Sequence, residues 1–202
     1  LFIPVYADIE RRLGLPREEL LNEQHIRFIE AIMDSIGRQE FEKLTLQEHV
    51  KECVSITSEY GKNIELLNEL QTYFSGINRI NGIDFGLRLK ALNRVDTYLF
   101  TLCFFELDSK TKKQLIDAWH ALMSYYLISD DVDDIKDDFN NNEDNCIIEA
   151  GLSAEGAGII ETVMKESYDV MNAVNPVFAN RMDYSWQMKD IKQIINDYLK
   201  AE

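Results

Sequence analysis

LIDAWHALMSYYLISDDVDDIKDD, Leu115 to Asp138, is an apolar stretch that runs without a break into a cluster of aspartates. Leu115, Ile116, Trp119, Leu122, Met123, Tyr126, Leu127 and Ile128 recur three and four apart, the period of an α-helix. They cover more of the helix surface than one narrow stripe, which predicts a central, heavily buried helix from about Lys110 to Asp138.

Outward from this helix the same period repeats, and sustained alternation of the strand type is missing, so the expected class is all-α. Pro16 suits a first helical turn, and Leu20, Leu21, Ile26, Phe28, Ile29, Ile32 and Met33 run toward an expected stop near Gly37. Thr45 with Glu48 reads as a capping box that opens a long segment through Phe74, with a bend at Gly61. A further helix is expected from about Asp84 to Leu107, carrying Leu87, Leu89, Leu92, Val95, Leu99 and Phe100. Beyond the aspartates, Asn140 to Asn142 mark a loop, Ser153 opens a helix to about Ala173, and Asn175-Pro176 precedes a last helix near Ser185 to Leu199. No repeat or long linker divides the chain, so residues 1–202 are expected to form one α-helical domain.

Composition narrows the functions. With 46% hydrophobic residues a sizeable core is possible, while 36 acidic against 21 basic residues give a formal net charge of -15. That field repels phosphate backbones, so nucleic acid is not an expected partner. An anionic ligand would need a basic cluster or a bridging cation. The apolar stretch Ala118 to Ser129 is much shorter than the roughly 20 residues of a membrane span, so no integral span is expected. Leu1 in place of Met, without the order of a signal peptide, leads to the expectation that upstream residues are missing. Cys53, Cys103 and Cys146 are too widely spaced for a disulfide framework or a zinc site, which suits a reducing cytoplasm.

Asp130, Asp131 and Asp134 form the pattern DDxxD. At about 100° per residue, Asp130, Asp134 and Asp137 lie within roughly 60° of arc and make one anionic face. Their repulsion raises carboxylate pKa values, and bound Mg²⁺ would relieve it, since the ion takes one or two carboxylates, keeps waters and bridges to phosphates. Asp130 and Asp134 are the first candidates for metal ligands and Asp131 the next. A solvated helix end accounts for an acidic run as well. No register supplies the glycine and glutamate of an EF-hand.

YYLISDDVDDIKDD, Tyr125 to Asp138, resembles the second aspartate-rich motif of the trans-isoprenyl diphosphate synthases. About one helix upstream, where that family has a Lys-Thr pair, Thr97 matches and Asp96 stands in the place of the lysine. Arg11-Arg12 with Gly14 and Pro16 is similar to the family's Arg-Arg-Gly-x-Pro stretch, with Leu13 and Leu15 inserted. The first aspartate-rich motif is absent or cut away, because Phe2 to Tyr6 leads to the single Asp8, and FNNNEDNCIIEAG after Asp138 lacks the family's diphosphate lysines.

The resemblance implies a terpenoid-synthase-type helical bundle that binds a prenyl diphosphate through Mg²⁺ and ionises or transfers it, with polar help from Arg11, Arg12, Arg94 or Lys90. The expected partners are the prenyl diphosphate and a second copy of the chain, as a homodimer. Tyr98, Phe100, Phe104, Phe105, Trp119, Tyr125 and Tyr126 line the cavity in that reading, and ordinary core packing explains them equally well. His25, His49 and His120 have neither partners at metal spacing nor a recognisable nucleophile, and no glycine-rich phosphate loop occurs. A noncatalytic relative that serves as a partner subunit or prenyl-diphosphate binder stands beside the enzyme, as does an unrelated acidic helical interaction protein.

Overall fold

The structure is a computed structural model that describes residues 2–42 and 44–201. Its helices are α1 (Phe2–Arg12), α2 (Arg17–Leu20), α3 (Glu23–Glu42), α4 (Leu46–Tyr60), α5 (Ile64–Phe74), α6 (Ser109–Asn141), α7 (Cys146–Ala150), α8 (Ala154–Val174), α9 (Pro176–Gln187) and α10 (Ile191–Ala201). A two-stranded antiparallel hairpin, Arg79–Ile80 with Ile83–Asp84, is the one sheet among the described residues, so the class is all-α. None of the described helices is long and apolar enough to cross a membrane.

Local chemistry sets most boundaries. Thr45 caps α4 in a complete capping box with Glu48, Asn63 caps α5, Ser153 caps α8, and Asn175 caps α9 with Pro176 in the first turn. The expected bend at Gly61 is a full break. A Cβ there would stand 2.7 Å from the Thr57 carbonyl oxygen, while Lys62 and Asn63 turn their N–H groups to the Cys103 carbonyl at 2.7 and 2.9 Å.

Other boundaries also differ from the sequence reading, among them the start of α9 at Pro176 rather than near Ser185. Helix α3 passes through Gly37 to Glu42, because an isolated glycine weakens a helix without ending it. The last expected helix is two, since the Asp190 side chain accepts the Gln193 N–H at 3.0 Å and starts α10 afresh. The α-helix expected over Asp84 to Leu107 is instead the end of the hairpin followed by 3₁₀ turns at Lys90–Asn93 and Asp96–Phe104. Every residue from Asp96 to Phe105 is buried. Helical spacing of apolar residues distinguishes a buried face from an exposed one, and a segment buried on all sides has no such contrast to read.

Contacts divide the chain into two compact units. The first comprises the chain up to Arg12, Leu87–Asn93 and the chain from Asp117 onward. Here Trp119 is fully buried beneath the edges of Phe2 and Tyr6, at centroid distances of 5.5 and 5.2 Å, and all residues from Ala118 to Ser124 are buried, as expected for this helix. The second comprises Leu13–Gly86 and Arg94–Ile116. Its core holds a buried ion pair, Lys112 Nζ to Glu69 Oε2 at 2.6 Å, which Asn81 supports through the other carboxylate oxygen.

Gly37 inside α3 and Gly61 just past α4 predict opposite outcomes. Nothing lies within 4 Å of a Cβ at Gly37, so Gly37→Ala should stabilise the fold by about 0.5–1 kcal/mol. Gly61→Ala should destabilise it, because the new methyl meets the Thr57 carbonyl; chemical denaturation of both variants checks the pair of signs.

Glu10 on α1 is 2% exposed, and burial pushes its carboxyl from 4.5 up to about 8. A raised native pKa means that stability is full below the unfolded value and is lost as pH rises through about 8. Glu10→Gln should therefore remove a decline in stability between about pH 4.5 and 8 and leave the protein more stable at alkaline pH, by on the order of a few kcal/mol. Urea denaturation of both proteins across that range measures it.

Candidate functional site

The acidic end of α6 is oriented by the apolar residues threaded through it. Ile128, Val132 and Ile135, spaced four and three apart, share a buried cluster with Cys146 and Ile147 of α7, Ala157, Ile160 and Met164 of α8, and Ile191 and Ile195 of α10. Holding that face inward settles where each aspartate goes. Asp130, Asp133, Asp134 and Asp137 are exposed, Asp138 is half-buried, and Asp131, three residues after Ile128 and four before Ile135, is 2% exposed.

Asp131 therefore has a structural engagement that its place in DDxxD does not reveal. Its Oδ2 accepts the Cys146 N–H at 2.7 Å and its carbonyl accepts from Asn145 Nδ2 at 2.7 Å. Asn145 also donates to Asp138 Oδ2 at 2.8 Å, and its Oδ1 caps α7 by accepting from Ile147 and Ile148 N–H. The pair ties α7 to α6, with the carboxylate satisfying an otherwise orphaned helix-start donor.

Asp130 and Asp134 sit one turn apart on the outer edge. Desolvation, followed by the charges of Asp130, Asp138, Asp133 and Asp137, holds the Asp134 carboxyl above its usual range. Asp133 is matched by Lys189, whose Nζ lies 3.0 Å from both carboxylate oxygens and 2.9 Å from the Ser129 carbonyl. Lys189 is a contributor to this edge that sequence reading missed. It lies 56 residues away in the chain, just after α9, and no local pattern signals it.

The expected diphosphate contacts are placed as follows. Arg11 and Arg12 both turn to Asp8, at 3.1 and 2.6 Å, and Asn175 adds a third hydrogen bond at 3.0 Å. Arg12, with Arg11, holds the Asp8 carboxyl below its usual range against a smaller opposing effect of desolvation. Lys90 has an exposed side chain, and its backbone N–H donates to Glu149. Arg94 belongs to the second compact unit. Among the described residues no group of three or more His, Cys, Asp or Glu has a metal-holding arrangement.

Of the aromatics, Tyr98, Phe100, Phe104, Phe105 and Trp119 are buried in the core and Tyr125 and Tyr126 are half-buried. Phe100, for example, stacks on Phe74 at 5.6 Å. The three histidines are buried. His49 brings together groups scattered in sequence. Ser35 donates its hydroxyl to Glu52, so its oxygen accepts from His49 Nδ1 at 2.9 Å, and His49 Nε2 accepts from Thr97 Oγ1 at 2.9 Å. Arg38 closes the row on Glu52. Cys53 Sγ is 3.8 Å from the imidazole. This grouping has the residue types of a nucleophilic site without its accessibility or ionisation. Ser35, His49 and Cys53 have no exposed surface, burial holds the imidazole below its usual range, and burial pushes the thiol up to about 12.

Comparison with known proteins gave no match: no family model, curated protein or solved structure matches the chain. The chemistry open to the α6 edge is that of exposed hard oxygen donors under mutual repulsion, which attract cations.

The division of labour among the aspartates predicts a contrast. Asp131→Ala removes a charge-assisted bond to a buried N–H and should cost about 1.5–3 kcal/mol. Asp134→Ala removes a charge from a repelling edge and should leave stability unchanged or higher. Urea titrations of the two single variants decide the order.

Proposed function

We propose that this chain acts by binding rather than by turnover: it uses the outer edge of α6 to take Mg²⁺ and, through the metal, the diphosphate of a prenyl diphosphate. The observation that carries the proposal is the split within DDxxD. Asp131 is buried with its carboxylate on the Cys146 N–H, whereas Asp130 and Asp134 lie on the exposed side of the helix, where desolvation and then the neighbouring carboxylates raise the Asp134 pKa. A divalent cation relieves that repulsion and gives an acidic protein a route to an anionic ligand.

The preference for binding over ionisation rests on what surrounds the edge. Arg11 and Arg12, the cations that the resemblance assigns to diphosphate, are paired with Asp8. Metal-assisted departure of a diphosphate needs charge stabilisation concentrated on the leaving group in a site closed to water. Exposed carboxylates on one helix suit capture instead.

The competing reading, an acidic helical interaction protein with solvated aspartates, draws on the same exposure and on the missing three-carboxylate group among the described residues. Thermal melts separate the two. Mg²⁺ with a prenyl diphosphate or pyrophosphate should raise the melting temperature, by linkage worth about 2.7 kcal/mol at one hundred times Kd. Metal alone should do less, since diphosphate supplies oxygens that the edge lacks. Asp130→Ala with Asp134→Ala should abolish the shift. Equal shifts in wild type and double variant, or none in either, would leave the interaction protein as the better description.

A further inference from the structure

Leu46, Val50 and Val54 recur four apart and form one apolar row along α4. The row is incompletely covered: Leu46 is 50% exposed, and Val50 and Val54 are half-buried. Phe74 at the end of α5 faces it, with its ring stacked on the buried Phe100, so this wall of the groove is held in place. Together they shape an open groove of ≈ 310 Å³.

The rim of this groove departs from the rest of the molecule. In a chain with 36 acidic and 21 basic residues, the polar lining is Gln47, Lys51, Gln71 and Ser75, without a carboxylate. Lys51 is exposed and makes no ion pair among the described residues. The adjacent acid on α4, Glu48, is hydrogen-bonded to the helix cap, where its Oε2 accepts from the Thr45 N–H and hydroxyl at 3.0 and 2.7 Å, and the Lys51 charge acts on it as a lesser effect. By contrast, the polar groups of the cleft between α8 and α9 have partners of their own: Lys165 is on Asp169, Glu161 on Lys192 and Asp183 on Gln187.

We propose that the groove between α4 and α5 is a binding site for a medium-chain anionic amphiphile. The apolar tail lies along Leu46, Val50, Val54 and Phe74, and the acid head meets Lys51. The apolar row and an ammonium that makes no ion pair among the described residues stand side by side, which is the complement of such a ligand, whereas a cationic amphiphile would bring like charge to the lysine. The volume is at the low end of the roughly 300–1,000 Å³ typical of ligand pockets, which favours a tail of about ten carbons over a long acyl chain. The site shares no residue with the α6 edge and does not rest on its function.

Calorimetric titration of the full chain, below micelle concentrations, tests the proposal with octanoate, decanoate, decanol and decyltrimethylammonium. Decanoate should bind, more tightly than octanoate by about two- to fourfold per added methylene, and more tightly than decyltrimethylammonium. Lys51→Glu should weaken decanoate by about tenfold and leave decanol unchanged. Val50→Trp, which fills the groove, should abolish both, and Gln71→Trp on the exposed rim gives the same readout should the valine variant fail to fold. Absence of decanoate binding, equal affinity for the cationic amphiphile, or binding indifferent to the groove-filling variants would each overturn it. So would sedimentation showing self-association that Gln71→Trp abolishes, because the groove would then belong to a second copy.

Discussion

Burial of Ile128, Val132 and Ile135 against α7, α8 and α10 fixes the rotation of α6 about its own axis. An α-helix has no freedom to present neighbouring residues independently, so three inward side chains dictate the direction of every aspartate between them. One carboxylate is carried to the start of α7 and the others are left outside. The surface chemistry of this end of the molecule is thus a by-product of an apolar contact. A change in that contact would redistribute the charges without altering any of them.

The polar groups inside the second unit follow a different rule. Glu69 and Lys112, Tyr73 and Asp96, and the row from Thr97 through His49 and Ser35 to Glu52 are each closed by hydrogen bonds. Buried polar groups are tolerated when they are satisfied, and each such closure selects one arrangement of the helices that supply it. Asp96 and Thr97 show the consequence for the 3₁₀ segment. Tyr73 donates to the first at 2.6 Å and His49 meets the second at 2.9 Å, so two adjacent backbone positions are pinned from α5 and α4. Thr101 in the same segment turns its hydroxyl to the Tyr98 carbonyl, one short 3₁₀ turn back. Burial also raises the pKa of Tyr73 and Cys53, which keeps these groups neutral and chemically quiet.

These two patterns bear on how an acidic protein of this kind can act. Ser35, His49 and Cys53 are buried in a hydrogen-bonded network, while exposed surface includes carboxylates on one helix and an apolar row with a lysine on another. Both exposed features suit recognition. They differ in charge, the first anionic and the second carrying a lysine, and the net charge of -15 makes the second the more unusual of the two.

The all-α class, the Thr45 and Ser153 starts and the long buried helix were legible in the amino-acid order, because helical period and capping act over a few residues. So was the acidic edge of α6, since Asp130 and Asp134 are one turn apart in any α-helix. Tertiary structure decided the rest. Nothing near Asp131 announces that its partner is the Cys146 N–H, and nothing near Asp133 announces Lys189, because such contacts depend on how distant helices dock. The stretch Asp96–Phe104 became 3₁₀ rather than α-helix through burial on every side and through bonds from α4 and α5, which sequence spacing does not encode. Short-range forces write themselves into local patterns; packing between elements far apart in the chain selects among the arrangements those patterns leave open.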